Sequence, residues 1–546
     1  MNLSMKEDTA IKYPRPGHPP RCVAGPAGES LGPHVVGYAN PTPDTRHALS
    51  GQLGFLARVG SGKGDNVPRW VRRREYRRFR SFMRTIMLRG SRLQPLSEVM
   101  TVEDWLDGSS YSQAEKDRLR RANEEFGESD SPGDLAKRFK RIRGIIKAEF
   151  YDAFKPPRVI GSRNDYAKIF FGPLIKSIEK KVYPLLCNPD GTSYFIKGKP
   201  VAEWAAHVLD HLVVNGAKYL TSDYKAFEGS FVPDLMAMCE YQLYRYMTRH
   251  LGTAKTKLFG KMIMSRCIYT FEEWKGMAST RCSGDVNTSL GNGFSNLCFA
   301  LYACYLSGIT PSRVRAMVEG DDGLFVLPFL PDLSPLRRLG LTMTWQMHDS
   351  INTASFCGMR FDPVTRTNLV DPRNKLLNTP YVLGPQNVGF GPRKKAAYLH
   401  AKALSLLVCH PICPIVTAYA RCLIRLTPVS AGEEAWGLAR MDSWHMSRLG
   451  HLSLPQSAEI PVSTRVLFSS MFSVSVEEQI RWEKFFDAKA DLRPYSIDLG
   501  FSDTQRRVFE RYVVSLDSLE LTREHCFHVD SRKFSAHSTW SGRRVR

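Results

Sequence analysis

Strand-like and helical patterns alternate along this chain, which points to a mixed α+β fold. Two apolar, strand-like runs flank the turn Glu319-Gly320-Asp321-Asp322-Gly323, with Val318 before it and Leu324 to Leu327 after it, as a hairpin requires. Elsewhere apolar residues recur at helical spacing, most clearly Tyr76, Phe79, Phe82, Met83 and Ile86 within Arg69 to Arg92. The chain of 546 residues, 43% hydrophobic and 11% aromatic, is too long for one ordinary core yet normal for a folded protein. About two to four subdomains are therefore expected.

Taken in order, residues 1–66 are rich in Gly and Pro, with Pro14 to Pro20 and Gly25 to Gly28 as breakers, and read as an extended arm. Met1 to Glu7 has no apolar core, so no signal peptide is expected. Arg69 to Arg92 predicts an amphipathic helix with a buried stripe and a cationic face. Asp104 to Lys147 continues the helical reading, and Ser112-Gln113-Ala114-Glu115 has the form of an N-cap and first turn. A helix is also expected over Ala167 to Tyr183. Ala403 to Ala420 is uncharged but carries His410, Pro411 and Pro414, so it predicts two buried pieces rather than a membrane span. Val476 to Phe486 returns to helical spacing, and Ser531 to Arg546 is a basic, polar tail.

The balance of 76 basic against 54 acidic residues, net +22, points to a polyanionic partner such as nucleic acid or an acidic membrane surface. The 12 cysteines are scattered without a repeated zinc-finger spacing; Cys409, Cys413 and Cys422 with His410 come nearest, and buried thiols in a reducing compartment are the simpler reading.

Four stretches carry chemistry. Asp321 and Asp322 sit side by side on the Gly-flanked turn, where Gly320 and Gly323 suit unusual backbone angles. Adjacent buried carboxylates repel unless one is protonated or a divalent cation is shared, and all-oxygen ligands favour Mg²⁺ or Mn²⁺. Alone, Gly-Asp-Asp-Gly is also what a solvated turn looks like. Leu220 to Phe231 brings a second pair: Asp223 at a strand end could join the same cation site, with Glu228 facing a bound substrate before the helix expected over Pro233 to Tyr246. Ala278 to Asn292, with Ser283, Gly284, Thr288 and Asn292, is a small-residue loop able to hydrogen-bond a sugar, leading into a helix over Phe294 to Leu306. Lys155, Arg158 and Arg163 lie in a proline-stiffened extended segment that can present cations to a triphosphate.

Together these stretches resemble a known family. Asp223 with Glu228, then Ser283-Gly284 with Thr288 and Asn292, then Gly320-Asp321-Asp322, match in order and spacing motifs A, B and C of the RNA-dependent RNA polymerases of positive-strand RNA viruses. Pro157 to Ile160 with Arg163 and Ile178-Glu179 looks like motif F, and Ser355-Phe356-Cys357-Gly358 like motif E. These, with Asp285-Val286-Asn287-Thr288, resemble the tombusvirus-like branch. The resemblance covers about residues 150–365 and is faint elsewhere.

The resemblance implies an α+β right-hand polymerase with fingers, a ferredoxin-like palm of antiparallel strands and a helical thumb. Its parts would be an arm (1–66), fingers with the basic helix and motif F (67–215), palm motif A (216–250), a fingers insert (251–277), palm motifs B to E (278–365), a helical thumb (366–530) and a basic tail (531–546). It implies two-metal-ion nucleotidyl transfer with Mg²⁺ or Mn²⁺ on Asp223, Asp321 and Asp322. Lys155, Arg158 and Arg163 would hold the triphosphate, while Glu228, Ser283, Gly284, Thr288 and Asn292 read the nucleotide and its 2′-hydroxyl. Implied partners are RNA template and product, ribonucleoside triphosphates and a viral membrane-anchoring replication protein. The implied location is the host cytoplasm, at membrane-associated replication complexes. Two departures stand out. The second acid of motif A is usually Asp, and here it is Glu228. No lysine lies between Gly323 and Asn374 to serve as the motif D acid, which leaves His348 as the nearest titratable group. The alternatives are a non-catalytic RNA-binding replication factor on a polymerase scaffold and a reverse transcriptase. The latter usually carries an aromatic residue before the paired acids, where this chain has Glu319-Gly320.

Overall fold

The computed structural model describes residues 9–12, 29–43, 45, 48–60, 67–125, 132–153, 155–224, 226–272, 274–383, 389–441, 458–505 and 511–512. The tail Ser531 to Arg546 and the breaker segments at 14–20 and 25–28 lie outside the described residues. The fold is α+β, with several small sheets among many helices. In chain order the strands are β1 (Ala10–Lys12), β2 (Glu29–Ser30), β3 (Thr42–Pro43), β4 (Arg141–Ile146), β5 (Val159–Arg163), β6 (Lys218–Tyr224), β7 (Cys267–Thr270) and β8 (Lys275–Ala278). There follow β9 (Arg315–Glu319), β10 (Asp322–Leu327), β11 (Met343–His348), β12 (Arg360–Phe361), β13 (Asn368–Leu369), β14 (Tyr381–Val382) and β15 (Arg511–Tyr512).

A four-stranded antiparallel sheet, order β11-β6-β10-β9, forms the centre. Alternation along its strands separates two cores. Ala316, Val318, Leu220 and Phe325 face one core, with the helix Thr288–Leu306. Met317, Tyr219, Leu324 and Val326 face the other, with Trp204, Phe356 and the C-terminal helices. Burial on both faces explains why Leu324 to Leu327 reads as a continuous apolar run rather than an alternating one. Thr288–Leu306 is likewise enclosed: every residue from Leu290 to Cys304 is buried, the polar Asn292, Ser295 and Asn296 included.

A second sheet, order β1-β8-β7-β4-β5, is antiparallel except for the β4/β7 pair. The sequence reading of a helix reaching Lys147 fails here. Arg141 to Ile146 is β4, whose branched Ile142, Ile145 and Ile146 suit a pleated ladder between β5 and β7. The arm reading also fails over part of its length. Ala48–Phe55 is an α-helix that continues as a π-helix, Leu56–Gly60. It is ordered by packing rather than by local signals: Phe55 meets Tyr269 and Trp274 edge-on at 5.2 and 5.8 Å.

The helix expected over Pro233 to Tyr246 is broken at Cys239 into Pro233–Met238 and Glu240–Met247. Several other expectations hold. Arg69–Phe82 is a helix burying Tyr76, Phe79 and Phe82. Ser112 and Glu115 close a reciprocal cap on Gln113–Glu125, and Asp165–Leu185 is one helix. Ala403 to Ala420 divides between the helices Pro392–Cys409 and Val416–Leu426, with the break at His410 to Ile415. Among the described residues no helix is long and apolar enough to cross a membrane. Cys409 is half-buried, and Cys413 and Cys422 are buried.

Candidate active site

The turn expected at Gly320 to Gly323 is present. Strands β9 and β10 pair with Asp322 opposite Glu319, leaving Gly320-Asp321 as a two-residue loop. Gly320 has φ +60°, a conformation glycine adopts without strain and one that suits the first position of a tight hairpin. Gly323 is needed for a different reason from the one its sequence position suggests. Its φ is ordinary, but any Cβ there would run into the Phe325 ring and Ser222 Oγ.

Strand β6 runs beside β10 with Ser222 opposite Gly323, so continuing the register by one residue brings the backbone of Asp223 alongside Asp322. The side chain of Asp223 lies outside the described residues. The turn is anchored from below by Asn296, fully buried on the helix Thr288–Leu306. Its Nδ2 donates to the carbonyl oxygens of Asp321 (3.0 Å) and Gly320 (3.4 Å), while its Oδ1 accepts from Tyr224 Oη at 2.9 Å.

Asp321 and Asp322 are exposed at the tip of the hairpin. The Asp321 carboxyl is nonetheless hemmed in by protein. That crowding, followed by the negative charges of Glu228 and Asp322, raises its pKa to about 7, with Arg158 pulling the other way. A carboxyl that ligand can reach but that like charges destabilise is chemically suited to an oxygen-preferring divalent cation. Among the described residues no three His, Cys, Asp or Glu side chains form a ready-made metal cluster.

Glu228 stands on the short helical turn Phe227–Ser230 and accepts from Asn292 Nδ2 at 3.3 Å. Gly229 allows this turn to lie directly on the backbone of Arg58, whose carbonyl oxygen a Cβ would overlap. Arg58 itself is a cation in the site that sequence reasoning missed. It donates from Nε to Pro156 O at 3.2 Å, and its charge interacts with Glu228 and Arg158. Nothing local marks it, because its place depends on folding of 48–60 against distant strands.

The loop from Arg281 to Thr288 is fastened to β5. Ser283 Oγ accepts from Gly161 N at 3.2 Å and lies 3.3 Å from Val159 O, so its hydroxyl is engaged by backbone. Gly284 bridges to Ser162, and a Cβ there would overlap the Gly161 carbonyl oxygen. Thr288 Oγ1 donates to Cys282 O at 3.0 Å at the start of the long helix.

The three expected triphosphate cations part company. Arg158 is half exposed, 3.7 Å from Glu149, and close enough to lower the Asp321 pKa. Lys155 is held by Asp152 at 2.9 Å and lies 5.0 Å from the centre of the Tyr151 ring. Arg163 is buried, gripping Asp285 through Nε (2.6 Å) and Nη2 (2.8 Å) and donating through Nη1 to Phe139 O. Its guanidinium ties strand to loop rather than facing the hairpin. Period-2 alternation could have shown this, since Val159, Gly161 and Arg163 form the buried face of β5.

His348 lies on β11 opposite Tyr219, four residues along from Thr344, the partner of Asp223. That separates it from the turn by roughly 13 Å of strand. Its ring sits 3.3 Å from Thr221 Oγ1, and burial lowers its pKa. Cys357, at φ +50°, places its Sγ 3.4 Å from Asp322 Oδ2. Beside β4 and β5 opens a groove of about 1060 Å³ lined by eight basic side chains, among them Arg121, Arg141 and Arg143, and three acidic ones.

No family model matches this chain, and no curated protein matches it.

Proposed function

We propose that the chain is an RNA-directed RNA polymerase of a positive-strand RNA virus, replicating and transcribing its genome by nucleotidyl transfer in a right-hand fold. In this reading the sheet β11-β6-β10-β9 is the palm, the sheet β1-β8-β7-β4-β5 with its helices forms the fingers, and the C-terminal helices form the thumb. The observation that carries it is the Asp321 carboxyl: reachable at the hairpin tip, crowded by Glu228 and Asp322, and faced by Arg158. Asp223, Asp321 and Asp322 would hold divalent ions, Mg²⁺ or Mn²⁺, which when bound activate a primer 3′-hydroxyl and stabilise the pyrophosphate leaving group. Asn296 keeps the turn from shifting by holding its carbonyl oxygens. Arg158 meets the incoming triphosphate with a half-exposed guanidinium, and Arg58 adds positive charge behind it. Glu228 and Asn292 form the acceptor and donor pair that reads the sugar hydroxyl. Phosphate contacts in the basic groove hold RNA without sequence preference.

The test is extension on a short RNA template with four ribonucleotides and Mg²⁺ or Mn²⁺. Full-length product from the native chain and a loss of at least about 10³-fold in Asp321→Ala is the expected outcome. Equal activity in the two proteins would sink the reading.

A further inference from the structure

Behind the sugar-reading pair lies a buried ion pair to which neither the motifs nor the reaction gives a role. Arg281 is 3% exposed and Glu240, on the helix Glu240–Met247, is fully buried. Arg281 Nη2 donates to Glu240 Oε1, its Nη1 donates to Asn292 Oδ1, and its guanidinium carbon lies 3.6 Å from the centre of the Phe231 ring. Glu240 is fixed in turn, its Oε2 accepting from Tyr244 Oη at 2.8 Å and Asn287 Nδ2 at 3.1 Å. Gly291 leaves room for the pair: a Cβ there would strike Glu240 Oε2 and crowd Arg281 Nη2.

The chemistry of this chain of contacts has a direction. A guanidinium only donates and an ionised carboxylate only accepts. Asn292, between Arg281 and Glu228, must therefore turn Oδ1 inward and Nδ2 outward to Glu228 Oε1, at 3.3 Å. The flipped amide would set N–H against N–H on one side and oxygen against oxygen on the other. With one oxygen held by Asn292, Glu228 keeps the other as an acceptor at the site, and the extra methylene of Glu relative to Asp is restrained. We propose that Arg281, locked by Glu240, is a positioning residue that sets the polarity of the Asn292–Glu228 hydrogen bond and thereby the preference for ribose over deoxyribose. This rests on the polymerase reading above.

The test compares kcat/KM for ATP and 2′-deoxyATP on an RNA template with Mg²⁺, in the native chain, Arg281→Lys and Glu240→Gln, each checked for an intact unfolding transition. Lysine keeps the charge but loses the fork; glutamine keeps the shape but lets the guanidinium and Asn292 reorient. The ribose preference is expected to fall about tenfold or more, through a raised KM for ATP with little change for 2′-deoxyATP, because a site that loses its hydroxyl-matched acceptor loses that discrimination. A preference unchanged in either folded variant, or an equal loss for both nucleotides, overturns the inference while leaving the polymerase intact. If neither variant folds, the pair is a determinant of the fold and the sugar role is overturned. Absence of product from the native chain defeats the polymerase reading itself, and this inference with it.

Discussion

At the residue scale, charge crowding and burial set what single groups do. The Asp321 carboxyl is partly shielded from water by the protein around it and held beside Glu228 and Asp322 by a turn that Asn296 will not let relax, so its ionised form is disfavoured where it stands. Asp321→Asn removes that repulsion at constant shape. It is expected to raise the unfolding midpoint by about 2 °C in metal-free buffer while abolishing extension, as calorimetry and the template assay would show. His410 gives the opposite lesson. Burial, aided by the positive charge of Lys375, pushes its pKa down to about 3. The unfolded chain, with an ordinary histidine pKa near 6.5, takes up that proton first, so stability is full above about pH 7 and falls as pH drops toward 3. Between pH 7.5 and 5 the loss from this residue is about 2 kcal/mol. Denaturant melts of His410→Gln should show a correspondingly shallower dependence on pH; an unchanged slope would mean that other groups govern it.

At the element scale, the question is how β5 and the 281–288 loop act as one unit. Arg163 and Asp285 are both buried, and removing either leaves a charge without its partner in a site that water does not reach. Arg163→Met and Asp285→Leu are each expected to cost about 3–5 kcal/mol, and the double replacement much less than their sum. A triphosphate ligand would behave differently, raising the KM for every nucleotide with stability unchanged, so melting curves and kinetics together separate the two roles. The sequence could show that 159–163 is extended and basic. It could not show that Arg163 meets Asp285, 122 positions away, because a single long-range pair leaves no period to read. The same holds for Arg281 and Glu240, 41 positions apart. By contrast the hairpin and the Ser112–Glu115 cap were legible, since their signals lie within a few residues of each other.

At the scale of the whole molecule, the segment 29–43 crosses to the C-terminal half. Val36 N donates to Tyr495 O (2.8 Å), Leu31 N to Pro380 O (2.7 Å), and Asn40 Nδ2 to Asn374 and Asn378 Oδ1 (2.9 and 2.8 Å). Residues 10–12 instead add β1 to the β1-β8-β7-β4-β5 sheet and 48–60 pack against it, so one N-terminal stretch touches both the C-terminal half and a sheet built from residues 141–163 and 267–278. On the proposed function, the net charge of +22 and the basic groove would meet RNA at this scale. Affinity for single-stranded RNA should fall with salt at a slope near −0.7 per phosphate contacted, so about five contacts give a log–log slope near −3.5. Filter binding between low and physiological salt measures it, and a flat dependence would count against phosphate-led binding.

Short-range chemistry is enough to state the hairpin with its two acids, several helices with their caps and stripes, and the excess of positive charge. Long-range packing is what makes residues 48–60 helical and carries Arg58 to Glu228, makes Arg141 to Ile146 a strand, and turns Arg163 into a buried tie. It alone places Arg281 and Glu240 behind Asn292. The physical reason is common to all of these. Each depends on a neighbour far away in the chain, whose packing or charge outweighs a local preference of a few tenths of a kcal/mol per residue.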